Sequence, residues 1–479
     1  METNVKPVRI HFPGNTLFYA VFVLFCLITF MYTADMATAQ ETLFVGYADS
    51  DITPPLGGSM PGYFKDRLSD GILDPLLAKV LVLTKGGMTV VITALDLIGI
   101  DAREVNQIRR EIQKRTGIPP QHIFIHATHT HTGAYTPELF TSDTLDLDPG
   151  FYIGKVNVEW LQSLPGKVAD AVDAAVKKQV DEKHTSLSIG REDTVAFYRR
   201  FLMKDGTIRT NPGHGNPDIV RPNGKIDPTV YTVAFGKART LLVSYGMHLD
   251  CIGGTKYSAD YPFHMTCAVK EKLGEDWNVL YLNAVCGNIN HFDVENVGQK
   301  SGYEESRRIG KKLAQAVLDS LDKKRAFVID RLDARTENVD CSLRKIPPGD
   351  FARAEKVMRD GMDVDKWNFN DIYPPAAYVL GKTGDKSHTA EVIVLRIGPM
   401  GLVGLPAEVF VEIGREIKLG SVFQPTLTIG LTGGAMGYMP HEKGYAEGGY
   451  EASYVSARYE PVTPNLWIET AVRLLRDLH

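Results

Sequence analysis

The stretch from Val90 to Gly133 constrains the fold more than any other part of the chain. It reads as strand, helix and strand, followed by a pair of histidines. Leu81 to Thr84 and the apolar run Val90 to Leu95 flank the turn Lys85-Gly86-Gly87, so both are expected as strands, with Asp96 following the second. Arg103 to Lys114 puts Val105, Ile108 and Ile112 on one side and charges on the other, the spacing of an amphipathic helix. Ile123 to Ala127 predicts the next strand. This succession points to an α/β domain with at least some parallel pairing. The strand runs into Ala127-Thr128-His129-Thr130-His131-Thr132-Gly133. Side chains at i and i+2 of an extended segment share a face, and a rigid strand end can deliver two imidazoles to a metal. The alternative is a pair of satisfied core histidines. The hydroxyls of Thr128, Thr130 and Thr132 and the nearby His122 and His126 favour a polar pocket.

The α/β pattern continues. Strands are expected at Ser186 to Ile189, Tyr231 to Phe235, Leu241 to Tyr245, Val279 to Asn283, Ile329 to Leu332, Glu391 to Ile397, Leu402 to Leu405 and Thr426 to Leu431. Helices are expected within Ile153 to Val180 and Ser258 to Leu273, and over Glu304 to Leu321, Val409 to Lys418 and Leu466 to Asp477. No repeat at solenoid spacing is present. Pro347 to Ser387 mixes charges, aromatics and prolines without a period. It reads as an insertion with one short helix near Arg353 to Arg359, either a rim for a pocket or a surface excursion.

The N-terminus has the layout of a targeting segment. Lys6 and Arg9 precede the uncharged run Leu17 to Tyr32, and Ala37-Thr38-Ala39 offers a cleavage signature that leaves Gln40 first in the mature chain. An uncleaved anchor is the alternative. Either way the body, residues 40–479, is expected outside the cytoplasm, secreted or periplasmic. That leaves roughly 440 residues, room for one large domain or two smaller ones. A net charge of −5 and the lack of a basic stripe argue against nucleic acid as a partner. Of five cysteines, Cys26 lies in the leader; Cys251, Cys267, Cys286 and Cys341 permit one or two disulfides but form no CxxC pair.

Further polar clusters stand at strand ends, where open sheets place their ligands. His248 follows Leu241 to Tyr245. Asp260, in Ser258-Ala259-Asp260-Tyr261-Pro262, either caps a helix or orients a ligand histidine. Cys286-Gly287-Asn288-Ile289-Asn290-His291 follows the strand ending at Asn283 and suits a substrate-facing loop or a structural turn. Glu408, in Pro406-Ala407-Glu408, is expected to open a helix, where a carboxylate is favourable in any case; the other reading is a metal ligand. Gly433 to Pro440 is glycine-rich and carries Tyr438, and Gly448-Gly449-Tyr450-Glu451 repeats the theme. There is no GxSxG elbow, no HExxH helix and no phosphate-binding glycine loop.

Together, Ala127 to Gly133, Ser258 to Pro262, Pro406-Ala407-Glu408, and Gly437-Tyr438 with Gly449-Tyr450-Glu451 resemble the catalytic domain of the neutral/alkaline, non-lysosomal ceramidase family. So do the opening Gly46-Tyr47-Ala48 and Asp51-Ile52-Thr53-Pro54-Pro55, and the likeness runs from about Thr42 to the C-terminus. It implies an α/β fold with large mixed β-sheets covered by helices, and a zinc-dependent amide hydrolase. His129, His248, Glu408 and Tyr438 fall on the family's metal ligands, and His131 on the histidine beside the metal that handles protons or orients substrate. Asp260 would support a ligand, and Asn288 or Asn290 would line the acyl side. The set suits Zn²⁺, although other first-row ions take the same donors. The family's C-terminal β-sandwich has no counterpart before His479. Where the family has a serine and an Asn-Ala-Gly-Asp-type segment, this chain has Ala284 and Asn288. The expected substrate is a lipid amide such as ceramide, met in transient contact with a membrane surface, and Trp367, Phe369, Tyr373, Pro374, Pro375 and Tyr378 are expected either as apolar lining or as a small satellite core. An esterase, a peptide or sugar-amide hydrolase, and a non-catalytic secreted binding protein are the alternatives.

Overall fold

In a computed structural model of the chain, the described residues are 41–63, 67–134, 136, 156–360, 373–384 and 386–479. The leader and the proposed cleavage point, with Trp367 and Phe369, lie outside them. Three mixed sheets carry the architecture. The first comprises β1 (Leu43–Asp51), β2 (Leu77–Lys85), β3 (Met88–Leu95), β4 (Ile123–Ala127) and β5 (Val180–Glu182), in the order β4-β3-β2-β1-β5. The second holds β6 (Thr185–Arg191), β7 (Thr229–Phe235), β8 (Thr240–Tyr245) and β9 (Asn278–Asn283), in the order β9-β8-β7-β6 with Arg325–Ala326 beyond. The third runs β10 (Leu332–Ser342), β11 (Ser387–Ile397), β12 (Met400–Gly404), β13 (Thr426–Ile429) in chain order.

Each sheet is antiparallel until its last pair. β3/β4, β8/β9 and β12/β13 are parallel, each joined across a helix: α1 (Ala102–Thr116), α3 (Tyr261–Leu273) and α7 (Val411–Gly420) respectively. Parallel neighbours need such a crossover. α1 begins at Asp101, whose carboxylate accepts from Arg103 N, and ends at Gly117 in the left-handed conformation. α2 (Val158–Lys177), α4 (Tyr303–Leu321) and α8 (Thr463–Leu478) complete the outer layer. Strand alternation divides the apolar residues. In β2, Val80 and Val82 pack under α1 and α2, while Leu81 and Leu83 join Val233, Leu242, Leu395 and Leu402 in a core shared by all three sheets. The other faces of the second and third sheets are covered by α3 with α4 and by α7 with α8. The expected α/β fold of mixed sheets under helices is thus observed.

Several local expectations change. Ile329 to Arg331 precede a strand that begins at Leu332 and runs for 11 residues. The long helix starts at Val158, and Val180 belongs to a strand. The insertion carries two helices, α5 (Pro348–Asp360) and α6 (Tyr373–Thr383), that pack on each other. Tyr378 stacks on Phe351 at 5.7 Å, with the Lys382 ammonium over both rings, so this aromatic completes a small satellite core. Cys251, Cys267, Cys286 and Cys341 are all free thiols. Among the described residues no helix is long and apolar enough to cross a membrane.

His126 belongs to the core rather than to a pocket. From β4 its Nδ1 faces Gly430 O just past β13 at 2.8 Å, and its Nε2 accepts from Asn283 N at the end of β9 at 3.1 Å. One neutral ring therefore ties the three sheets together. Burial pushes its pKa down to about 3. The unfolded chain, with an ordinary histidine pKa near 6.5, takes the proton first, so this contribution is complete above that pH and is lost as pH falls toward 3. Between pH 7 and 5 the metal-free protein should lose roughly 2 kcal/mol of stability on this account. Denaturant titrations of wild type and His126→Gln, compared at both pH values, read that slope, and an undiminished slope in the variant would rule the assignment out.

Candidate metal centre

The ends of the parallel pairs supply the site. His129 follows β4 and His248 follows β8, and the two segments meet through a parallel bridge between Thr130 and Leu249, with His131 N donating to Leu249 O at 2.9 Å. With Thr130 and Leu249 on one side, His129, His131 and His248 occupy the other. The threonines expected to line a polar pocket turn away from it. Thr130 Oγ1 and Thr132 Oγ1 donate to Ser258 O at 2.6 and 3.0 Å, and Thr128 Oγ1 donates to Asp96. His129 holds φ at 78°, a left-handed conformation that costs about 1–3 kcal/mol in a residue with a Cβ and that tends to mark functional sites.

Glu408 does not open a helix. Glu408–Val409 is a two-residue strand that pairs in parallel with Tyr438–Met439, with Glu408 opposite Tyr438, and α7 begins at Val411. Gly287 is required beside it, since a Cβ there would lie 2.3 Å from Glu408 O. Glu408 Oε2 stands 3.1 Å from His129 Nε2 and 3.1 Å from His248 Nε2. Tyr438 Oη is 3.3 Å from His248 Nε2, and His131 Nε2 is 3.4 Å from His129 Nε2.

Proton bookkeeping decides what this cluster wants. His129 Nδ1 faces Ile98 O at 2.7 Å, His131 Nδ1 faces Gly62 O at 3.0 Å, and His248 Nδ1 faces Cys286 O and Ile289 O at 3.0 Å each. A carbonyl only accepts, so each Nδ1 carries the hydrogen and each neutral ring presents a lone pair at Nε2. Three such lone pairs and a carboxylate converge, which favours a cation among them. Two donors on a tetrahedral zinc lie about 3.3 Å apart, close to the separations observed. The donors of His129, His131 and His248, with the Glu408 carboxylate beside two of them, therefore fit a metal such as zinc.

Electrostatics agree. Burial works against a charged His129, yet the Glu408 carboxylate outweighs it and raises the ring's pKa. Burial likewise opposes ionised Glu408, and His129 and His248 hold it well below the usual carboxylate range. Burial, and then charge on His129, push His131 down to about 3. Burial drives the Tyr438 phenol up, against the pull of Arg199. Arg199 was not singled out from sequence. Its guanidinium donates to Tyr438 Oη at 2.9 Å, Gly287 O at 2.8 Å and Glu451 Oε1 at 2.9 Å. Glu451 also accepts from Arg200 at 3.0 Å and Thr210 at 2.7 Å. Tyr450 meets the Tyr438 ring edge-on at 5.4 Å.

Two expected site residues are placed elsewhere. Asp260 touches neither ligand histidine. It caps α3 through Tyr261 N and accepts from Cys251 N, Ile252 N and Ser306 Oγ, thereby fixing the turn after Asp250. Asn288 is fully buried, donating to Glu412 and Tyr198 and accepting from Val411 N, so its amide holds the start of α7. Asn290 donates to Asn211 at 3.3 Å. Asp250 was also missed, although His248-Leu249-Asp250 has the same i, i+2 spacing as His129-Thr130-His131.

No protein-family model and no curated protein matches this sequence. Among solved structures, the neutral ceramidase of Pseudomonas aeruginosa superposes with a TM-score of 0.69 at 16% identity, over 91% of this chain and 75% of that one. A ceramidase complexed with C2 gives 0.69 at 15% identity over the same shares. The chain has the fold of the neutral ceramidases.

Proposed function

We propose that this protein is an exported zinc-dependent hydrolase of carbon–nitrogen amide bonds, with an N-acyl lipid of the ceramide type as its leading substrate. The observation that carries the reading is the clustering of three Nε2 lone pairs, each fixed by a carbonyl behind it, with His129 and His248 against the Glu408 carboxylate and His248 against the Tyr438 hydroxyl. The fold shared with neutral ceramidases supports the choice of an amide. Zinc supplies a Lewis acid that polarises the amide carbonyl and lowers the pKa of water.

The chain's own groups do the rest. His129, His248 and Glu408 would present the donors, and Arg199 holds Tyr438 in place. His131 keeps its proton on Nδ1 and offers Nε2 to the cleft. His131 Nε2 then accepts a proton from the attacking water and returns it to the leaving nitrogen. Cys286 is no rival nucleophile, because burial raises its thiol far above neutrality.

Substrate would be met in transient contact with a lipid surface. The same centre also suits esters, peptides and sugar amides. A hydrolysis screen of the zinc-loaded protein against ceramides, N-acyl amino acids, short esters and N-acetylated sugars tests the reading. Turnover of ceramide, abolished by chelation, is expected. Turnover of soluble amides or esters alone removes the lipid assignment, and zinc-independent turnover removes the metal.

A further inference from the structure

Asp250 shares the face of the metal-binding histidines. The bridge between Thr130 and Leu249 sets His129 and His131 on one segment beside His248 and Asp250 on the other, all four flanking the bridged pair on its opposite side. The Asp250 charge is felt at His129, His131 and His248, and at Tyr63. Its Oδ1 meets His291 Nδ1 at 2.8 Å, and the other ring nitrogen of His291 lies 3.4 Å from Ser301 Oγ. Among the described residues nothing bonds Oδ2, and the side chain keeps 16% of its surface open while His291 keeps 6%. The turn behind it is pinned by Asp260 through Cys251 N and Ile252 N. A carboxylate oriented on one oxygen and open on the other, beside the reacting centre, is built to receive a hydrogen-bond donor.

Resting on the amide-hydrolase reading, we infer that Asp250 is a specificity-determining residue that receives a hydroxyl or ammonium hydrogen of the substrate next to the scissile amide, and that His291 is its positioning residue. An amide whose amine carries only alkyl groups leaves that oxygen unmatched.

The test compares three N-octanoyl amides, those of propan-2-amine, 2-amino-1,3-propanediol and 1,2,3-triaminopropane acylated at its central nitrogen. Their non-cleavable octylsulfonyl counterparts are titrated calorimetrically into the zinc-loaded full chain. Hydrogen bonds to charged groups predict that the diol or the diamine compound binds roughly 10- to 100-fold more tightly than the alkyl one. The preferred arm identifies hydroxyl or ammonium. Asp250→Asn should remove the advantage while keeping zinc, and His291→Gln should reduce it. Equal binding of all three by wild type overturns the inference. Zinc loss in Asp250→Asn overturns it too, by making Asp250 a ligand. If the binding preference holds and no amide is cleaved, the inference stands and the hydrolase reading falls.

Discussion

Replacing His129 or His248 by alanine is expected to abolish zinc retention and hydrolysis together. Each ring supplies an Nε2 held by a carbonyl and set 3.1 Å from the Glu408 carboxylate, so its loss opens one corner of the cluster and leaves an ionised carboxylate with one partner fewer. Groups that merely orient a ligand are typically worth 10- to 100-fold in affinity or activity. Removing the ligand itself should therefore cost more than about 100-fold. Metal content after dialysis and turnover are the two readouts. Cys286→Ala is the control, since its buried thiol bonds only weakly to Asn283 at 3.6 Å. A Cys286→Ala variant that retains zinc and is dead would move the chemistry to sulfur and sink the metal-water mechanism.

Arg199→Leu is expected to have the largest effect on stability. The guanidinium and Glu451 are both buried, and removing one member of a buried pair typically costs about 3–5 kcal/mol because the other charge is stranded. Arg200 still reaches Glu451, which places the loss toward the lower end of that range. Tyr438 Oη loses its donor as well, so zinc affinity should fall with the denaturation midpoint. Arg199→Lys should not restore either, because one ammonium cannot reproduce the three directed bonds to Tyr438, Gly287 and Glu451. Wild-type values for both variants would show that Tyr438 is positioned by other means.

What the sequence disclosed follows from the range of each signal. His129 with His131, and His248, are legible because alternation and a preceding apolar strand act within a few residues. The position of Glu408 is legible for the same reason, but its backbone is not: its strand exists only because Tyr438 lies alongside. Arg199 carries no signal within its own neighbourhood, because its partner Glu451 is 252 residues away. Asn288 misled in the opposite sense, whereas Asp260 follows the capping reading that its place before Tyr261-Pro262 offered. Polar residues near a strand end suggest a cleft, yet both are consumed in holding backbone turns. His126 was grouped with its neighbours for sharing their residue type, while its pairing with Asn283 and Gly430 depends on two other sheets.

His129 follows the last strand of the first sheet, His248 follows a strand of the second, and Glu408 lies in the short strand just past β12 of the third. Metal affinity is therefore a gauge of how the three sheets are seated. A packing defect that tilts any one of them should register as weaker zinc binding before it registers as unfolding, even when the altered residue lies far from the centre. Conversely, metal loading should slow amide exchange most at the C-terminal ends of β4, β8 and β12, the ends that lead into the site, and least in the helices outside. A bound ion would then be a clasp as well as a reagent.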